Sequence, residues 1–297
     1  MVEKLRMDIP SVIRELEVAL KVLTEARIMS RYRRVFKGKG LEFEDFRDYT
    51  TSDDASLIDW KASKRSNKIV IRRFKEERDM NIFILLDVSS SMLFGSTEKL
   101  KYEYAAEMVA ALANFVLQSG DRVSLVMFTD RVVRYVKPGK GIKHFYIMLK
   151  HLLNPRYYGG GFNIGSALNF IMNATGEKSI AFLISDFIGM EETWERSIKL
   201  SAGKFDGIAV MVRDPRDEKL PPGTGQVVIA DPYSDKEMLI DDNRRDREEY
   251  GRYVRSQEEQ LRKSLMAGMW DYVEVSTKDS FVMPIIKFFK RRELLLR

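Results

Sequence analysis

From Met80 to Ser276, short apolar runs alternate with longer amphipathic stretches, and this rhythm constrains the fold more than any other feature of the chain. NIFILLD (81–87) is apolar up to its final acid, as in a strand covered on both faces. RVSLVMF (122–128), SIAFLISD (179–186), GIAVMVR (207–213) and DYVEVS (271–276) repeat the pattern. Helical periodicity fills the gaps. A helix is predicted over Lys99 to Gln118, with Ala105, Val109, Ala113 and Val116 on one side and Gly120 as its stop. Others are predicted over about 142–153, 164–175, 191–202 and 279–292. Strands alternating with helices imply an α/β fold with a mostly parallel sheet flanked by helices, and RVVRYVK (131–137) reads as a hairpin partner of the strand before it.

Two regions break the rhythm and set the domain organisation. Residues 1–79 read as an N-terminal helix (10–29, with Ile13, Leu16, Leu20 and Leu23 in phase) followed by an irregular, β-containing subdomain with a short strand at Ile69–Phe74. Residues 80–297 form the main domain. Within it, 214–245 opens on prolines and glycines. GQVVIAD and EMLID then flank the turn PYSD, so this is a predicted β-hairpin insertion, expected to pack on the N-terminal subdomain and extend its sheet. A long helix with Tyr250, Val254, Leu261 and Leu265 on one stripe follows it.

Composition excludes several chemistries. The chain has no cysteine, so disulfides, thiolate metal sites and thiol catalysis are out. Its two histidines, His144 and His151, are seven apart, not the three or four that suits a shared metal on a helix. The longest apolar runs fall far short of the roughly 18–20 residues that span a bilayer, and MVEKLRMDIPSV lacks a signal-peptide core, so the expected location is cytoplasmic. Net charge is +6, with a basic cluster at 27–39.

The apolar strand ending in Asp87 is followed by Ser89 and Ser91, and SIAFLISD ends in Asp186. In an open parallel sheet, ligands bind beyond the carboxyl ends of the strands. Two carboxylates and two hydroxyls at one such edge form a hard, all-oxygen set suited to Mg²⁺ or Mn²⁺. The intervening YYGGGFNIGSAL, with its glycine run, reads as a tight turn, not a phosphate cradle.

Asp87-Val-Ser-Ser-Ser91 resembles the D-x-S-x-S metal-ion-dependent adhesion site of von Willebrand factor A domains, LISD resembles that family's later metal-site aspartate, and GGGFNIGSAL resembles its intervening loop. Upstream, Arg47, Tyr49, Asp53, Asp54, Ile58-Asp59-Trp60, Arg65, Arg72, Phe74 and Glu77 match the signature of the family catalogued as domain of unknown function 58. The resemblance implies a metal held by Asp87, Ser89, Ser91 and Asp186, completed by a partner's carboxylate. It also implies a MoxR-type AAA+ ATPase as partner. Phe162 stands where the loop threonine usually ligates, which implies a weakened metal site unless Asn163 supplies an oxygen. Phe94 and Phe162 are expected to give apolar contact to the partner, and Trp60 to be either a partner anchor or a locally packed side chain.

Two rival functions remain open at this point. A phosphohydrolase would use Asp87 as nucleophile, but Ser89 occupies the position of the needed acid, and no other catalytic constellation is present, so a non-enzyme is expected. Nucleic-acid binding would rest on segment 27–39 with Tyr32 and Phe36, without a recognised motif beside it.

Overall fold

The computed structural model describes residues 43–50, 53–74, 80–176, 178–223, 225–234, 236–241 and 243–295. The expected helix over 10–29 and the basic segment 27–39 lie outside them. The chain divides into two compact units: Met80–Phe288 makes up the described part of one, and the described residues of Arg27–Asp79 and Phe289–Arg297 belong to the other.

In the smaller unit, β1 (Phe43–Asp48) pairs antiparallel with β2 (Val70–Phe74), and α1 (Trp60–Ser66) lies between them in sequence. Asp59 caps α1, accepting from the backbone N–H groups of Lys61 and Ala62 at 3.0 Å each. Arg47 holds Asp53 through two bonds of 2.9 and 2.6 Å, and this, with the Thr50 contacts, keeps the Asp53 carboxyl well below the usual range. Signature residues thus brace their own subdomain. Trp60 is 70% exposed.

The larger unit is built on a six-stranded sheet of β3 (Asn81–Asp87), β4 (Arg122–Phe128), β5 (Val132–Gly139), β6 (Ser179–Ser185), β7 (Phe205–Arg213) and β10 (Trp270–Ser276), in the order β10-β7-β6-β3-β4-β5. Only β5 is antiparallel, because a tight turn joins it to β4, whereas the other strands are reached by helical crossovers. The helices are α2 (Lys101–Gln118), α3 (Gly141–Leu152), α4 (Ile164–Ala174), α5 (Trp194–Ser201), the short α6 (Pro215–Glu218), α7 (Arg244–Ala267) and α8 (Val282–Leu295), whose residues from Phe289 on belong to the other unit. Predicted elements are present within a few residues of their expected ends; α6 was not anticipated.

β3 is buried from Ile82 to Asp87, and full burial of each such aliphatic contributes roughly 1.5–3 kcal/mol. One face of the sheet packs Phe83, Leu85, Ala181, Leu183 and Ala209 against Ile164, Leu168 and Ile198 from α4 and α5 and Leu261 and Leu265 from α7. Trp270 lies over Gly207, where any Cβ would collide with its ring, and its indole N–H donates to Ser201 Oγ at 3.1 Å.

The insertion forms a hairpin, β8 (Gln226–Ala230) with β9 (Glu237–Asp241), as expected. Among the described residues, β1–β2 and β8–β9 are each two-stranded sheets. Its turn reaches the carboxyl edge of the main sheet, where Tyr233 meets Ser89 and Ser91. Among the described residues, no helix is long and apolar enough to cross a membrane.

Candidate functional site

The chain leaves β3 for β4 on one side and returns to β6 on the other. This reversal opens a crevice at the carboxyl ends of β3 and β6, where Asp87 and Asp186 stand. Both are fully buried, with Ser89 and Ser91 beside them.

The polar atoms interlock. Ser91 Oγ donates to Asp186 Oδ1 at 3.0 Å and lies 3.3 Å from Ser89 Oγ. Asp87 accepts from Ser89 N–H at 2.8 Å and from Ser185 Oγ at 2.6 Å. Asp186 Oδ1 also accepts from Ile188 N–H at 3.0 Å, across a tight turn whose Phe187 has φ 56, a strained value for a residue with a side chain. Burial, followed by repulsion from Asp186, pushes the Asp87 carboxyl up to about 7, against the pull of the hydrogen bonds from Ser185 and Ser89.

The glycine run fixes the loop after β3. Gly160 N–H donates to Ser90 Oγ at 2.9 Å, Gly160 O accepts from Ser90 N–H at 3.0 Å, and Gly159 N–H donates to Val88 O at 2.7 Å. Gly159 and Gly160 have φ +100 and +111, a pair of conformations that only glycine adopts readily.

Two residues that the sequence did not single out complete the site. Lys101, in the first turn of α2, is buried with its Nζ 2.6 Å from Asp186 Oδ2 and 3.0 Å from Asp217 Oδ2 on α6. Burial works against its charge, but the two carboxylates more than offset this, so its pKa is raised. Tyr233, from the β8–β9 turn, donates its hydroxyl to Ile188 O at 3.0 Å and lies 2.9 Å from Ser91 Oγ and 3.1 Å from Ser89 Oγ. Its ring passes over Gly189, where a Cβ would collide with it.

The loop phenylalanine behaves differently from the expectation. Phe162 is buried, not offered to a partner: its ring stacks on Tyr233 at 6.4 Å and packs on Phe128 at 6.1 Å. Asn163 caps α4, its Oδ1 accepting from Ser166 N–H at 2.7 Å, so that oxygen is engaged away from the two aspartates. Phe94 is 46% exposed and lines, with Leu93, Ile188, Leu220 and Val228, a cavity of about 1090 Å³ that reaches Ser91 and Lys101. Trp60 belongs to the other unit.

Among the described residues, no group of three or more His, Asp or Glu side chains forms a metal centre by itself. The donor set at this edge instead mixes acids with hydroxyls, and its chemistry fits a hard divalent cation. The Lys101 ammonium pairs with two carboxylates, Asp186 and Asp217, while Arg213 is engaged with Glu258 and with the Asp186 carbonyl. Asp87 is held by hydrogen bonds from Ser185 and the Ser89 N–H, and burial with repulsion from Asp186 disfavours its charged form. Phe162 contributes no oxygen to that set.

Relatives and structures place the chain. The "Uncharacterized protein Rv1480" of Mycobacterium tuberculosis is 26% identical over 238 residues, covering 79% of this chain and 74% of that protein. The "Uncharacterized protein YeaD" of Bacillus subtilis is 29% identical over 107 residues, 36% of this chain and 24% of that protein. The crystal structure of an aerotolerance-related membrane protein from Bacteroides fragilis has the same fold at 17% identity, with a TM-score of 0.51 over 71% of this chain and 99% of that one. A von Willebrand factor type A structure from Catenulispora acidiphila aligns over 75% of this chain and 44% of that one, at 16% identity and a TM-score of 0.44. Residues 45–260 match the family described as "Protein of unknown function DUF58", and the chain belongs to that family.

Proposed function

We propose that this chain is a protein-interaction module that captures a carboxylate of its partner through a divalent cation, Mg²⁺ or Mn²⁺, held by Asp87, Ser89, Ser91 and Asp186. The observation that carries this reading is the convergence of two buried aspartates and two serine hydroxyls at the sheet's switch point. When bound, the cation supplies positive charge that attracts an Asp or Glu from another protein.

The chain's own residues prepare that encounter. Ser185 and the Ser89 N–H hold the Asp87 carboxylate, and Lys101 holds Asp186 while neutralising part of the site. The Gly159–Gly160 contacts hold the serine loop in place. Phe94 and the neighbouring cavity offer apolar surface to flanking partner residues. Ser89 stands where a phosphohydrolase of this kind would carry its acid, which favours binding over hydrolysis.

The family resemblance directs the choice of partner to a MoxR-type AAA+ ATPase in the cytoplasm. The test is a pull-down from native lysate, run with Mg²⁺ and with chelator, using wild type and Asp87→Ala. Metal-dependent recovery of an ATPase by wild type alone supports the reading. Capture by Asp87→Ala in excess chelator overturns it.

A further inference from the structure

The longest one-signed stretch among the described residues includes the glycine loop of this site and extends well beyond it. Between Arg131 and Gly176 the chain has seven Lys and Arg residues and no Asp or Glu, and all seven basic side chains are exposed. The stretch covers the edge strand β5 and α3, which packs on α2 and β5 along the flank of the sheet. The α2 acids do not oppose it: Glu103 and Glu107 are buried, and Glu107 pairs with Lys99. Asp130 borders the face at one end.

α3 is amphipathic in an unusual way. Phe145, Met148, Leu149 and Leu152 face the core. The outer face carries Lys143 and Lys150 along its crest, with Ile142, Tyr146 and Ile147 beside them, 60%, 58% and 48% exposed. Three large apolar side chains therefore sit in water among cations, on a helix about 18 Å long. Arg134 on β5 extends the basic surface, its Nη2 donating to His151 Nε2 on α3 at 2.9 Å.

We propose that this flank docks on an anionic phospholipid surface, with the lysines and arginines at the headgroups and Ile142, Tyr146 and Ile147 at the headgroup–acyl boundary. Charge complementarity supplies the long-range attraction, and the aliphatic side chains choose among anionic partners. A nucleic-acid backbone uses the cations but has no place for two isoleucines; a lipid interface takes both. Lysine stems suit this position, since they lie along apolar surface while the ammonium stays wet. The inference makes no use of the metal reading.

The experiment is vesicle flotation of the full chain, with phosphatidylcholine vesicles containing or lacking phosphatidylglycerol, at low and high salt. Wild type should float only with the anionic vesicles and release at high salt. Each basic residue near such a surface is worth roughly fivefold in binding. Lys143→Glu with Lys150→Glu should therefore weaken binding by tenfold or more, and Ile142→Ser with Ile147→Ser by several-fold. These positions are exposed, and unchanged circular dichroism and melting temperature would show that the variants are folded. Because segment 27–39 is also basic, Arg33→Glu with Arg34→Glu is the control. Loss of flotation in that control with retention in the α3 variants overturns the proposal. Absence of flotation with anionic vesicles overturns it too. Isoleucine variants that bind vesicles like wild type, with duplex DNA displacing the protein, would assign the face to nucleic acid instead.

Discussion

Lys101 Nζ lies 2.6 Å from Asp186 Oδ2, with both side chains buried, so the aspartate expected to serve a metal already has a cation of the protein's own. The same ammonium reaches Asp217 at 3.0 Å. This joins the start of α2 to the end of β6 and to α6, and it settles how so much acid is tolerated in the fold without solvent. The lysine fixes the orientation of Asp186 and has no contact with Asp87, whose charged form is disfavoured by burial and by Asp186.

Lys101→Met should therefore be among the most destabilising single changes in the chain. Removing one member of a buried pair costs about 3–5 kcal/mol because the other charge is stranded. Here two carboxylates are stranded. Chemical denaturation of the apo protein measures the loss, and the reading of the site predicts that Mg²⁺ or Mn²⁺ recovers more stability in this variant than in wild type. Equal metal responses would mean that no cation enters beside Asp186.

Tyr233→Phe separates the ring from the hydroxyl. The ring keeps its stack on Phe162, while the contacts with Ser89, Ser91 and Ile188 are lost. The cost to apo stability should be about 1 kcal/mol, the net worth of a typical hydrogen bond. Metal affinity measured by titration should rise, because the two serine oxygens lose a competing partner. A fall in affinity would show that the tyrosine supports the site.

Much of this was legible in the primary structure. Uninterrupted apolar runs such as 81–87 marked buried parallel strands, because side-chain pattern reports burial directly, and the two strand-terminal aspartates marked the edge where they meet Ser91 and Ser185. Lys101 and Tyr233 were not legible. A lysine in a helix's first turn reads as a solvated charge, and a tyrosine in the PYSD turn reads as hairpin surface; their roles arise from contacts 85 and 142 residues away in the chain. Phe162 was legible as an anomaly, a ring in place of an oxygen. Its explanation, a stack on Tyr233, needed the hairpin's position. Segment 131–176 reads as an ordinary mixture of elements until its exposure shows every cation on the outside.

Gly160→Ala tests the loop that holds the serines. A Cβ there has space, with its nearest neighbours on Thr129 at 3.7 Å, so the cost is conformational: φ +111 is foreign to alanine. About 1–3 kcal/mol of stability should be lost. If the loop shifts to relieve the strain, the Gly160–Ser90 bonds break and the serines move. Metal-induced thermal stabilisation should then shrink along with the apo melting temperature, whereas a purely local effect would lower the melting temperature and leave the metal increment intact.

The pH dependence follows from Asp87. Its carboxyl is pushed up to about 7 in the folded protein, chiefly by burial, from an ordinary value of 3.8. Between these values the folded state holds a proton that the unfolded state has released, so stability from this group is fully present below about pH 4 and declines as pH rises to about 7. The apo protein should thus lose stability across that window through this group, and Asp87→Asn, which cannot ionise, should lack that slope. The cation has the opposite preference. It needs the carboxylate, so protons compete with it below pH 7, and its apparent affinity should increase as pH rises toward 7 and level off above. Wild type in chelator and wild type in Mg²⁺ should therefore diverge in melting temperature as pH increases from 5 to 8, with little separation for Asp87→Asn. Parallel curves for the two conditions would place the cation, if any binds, away from Asp87.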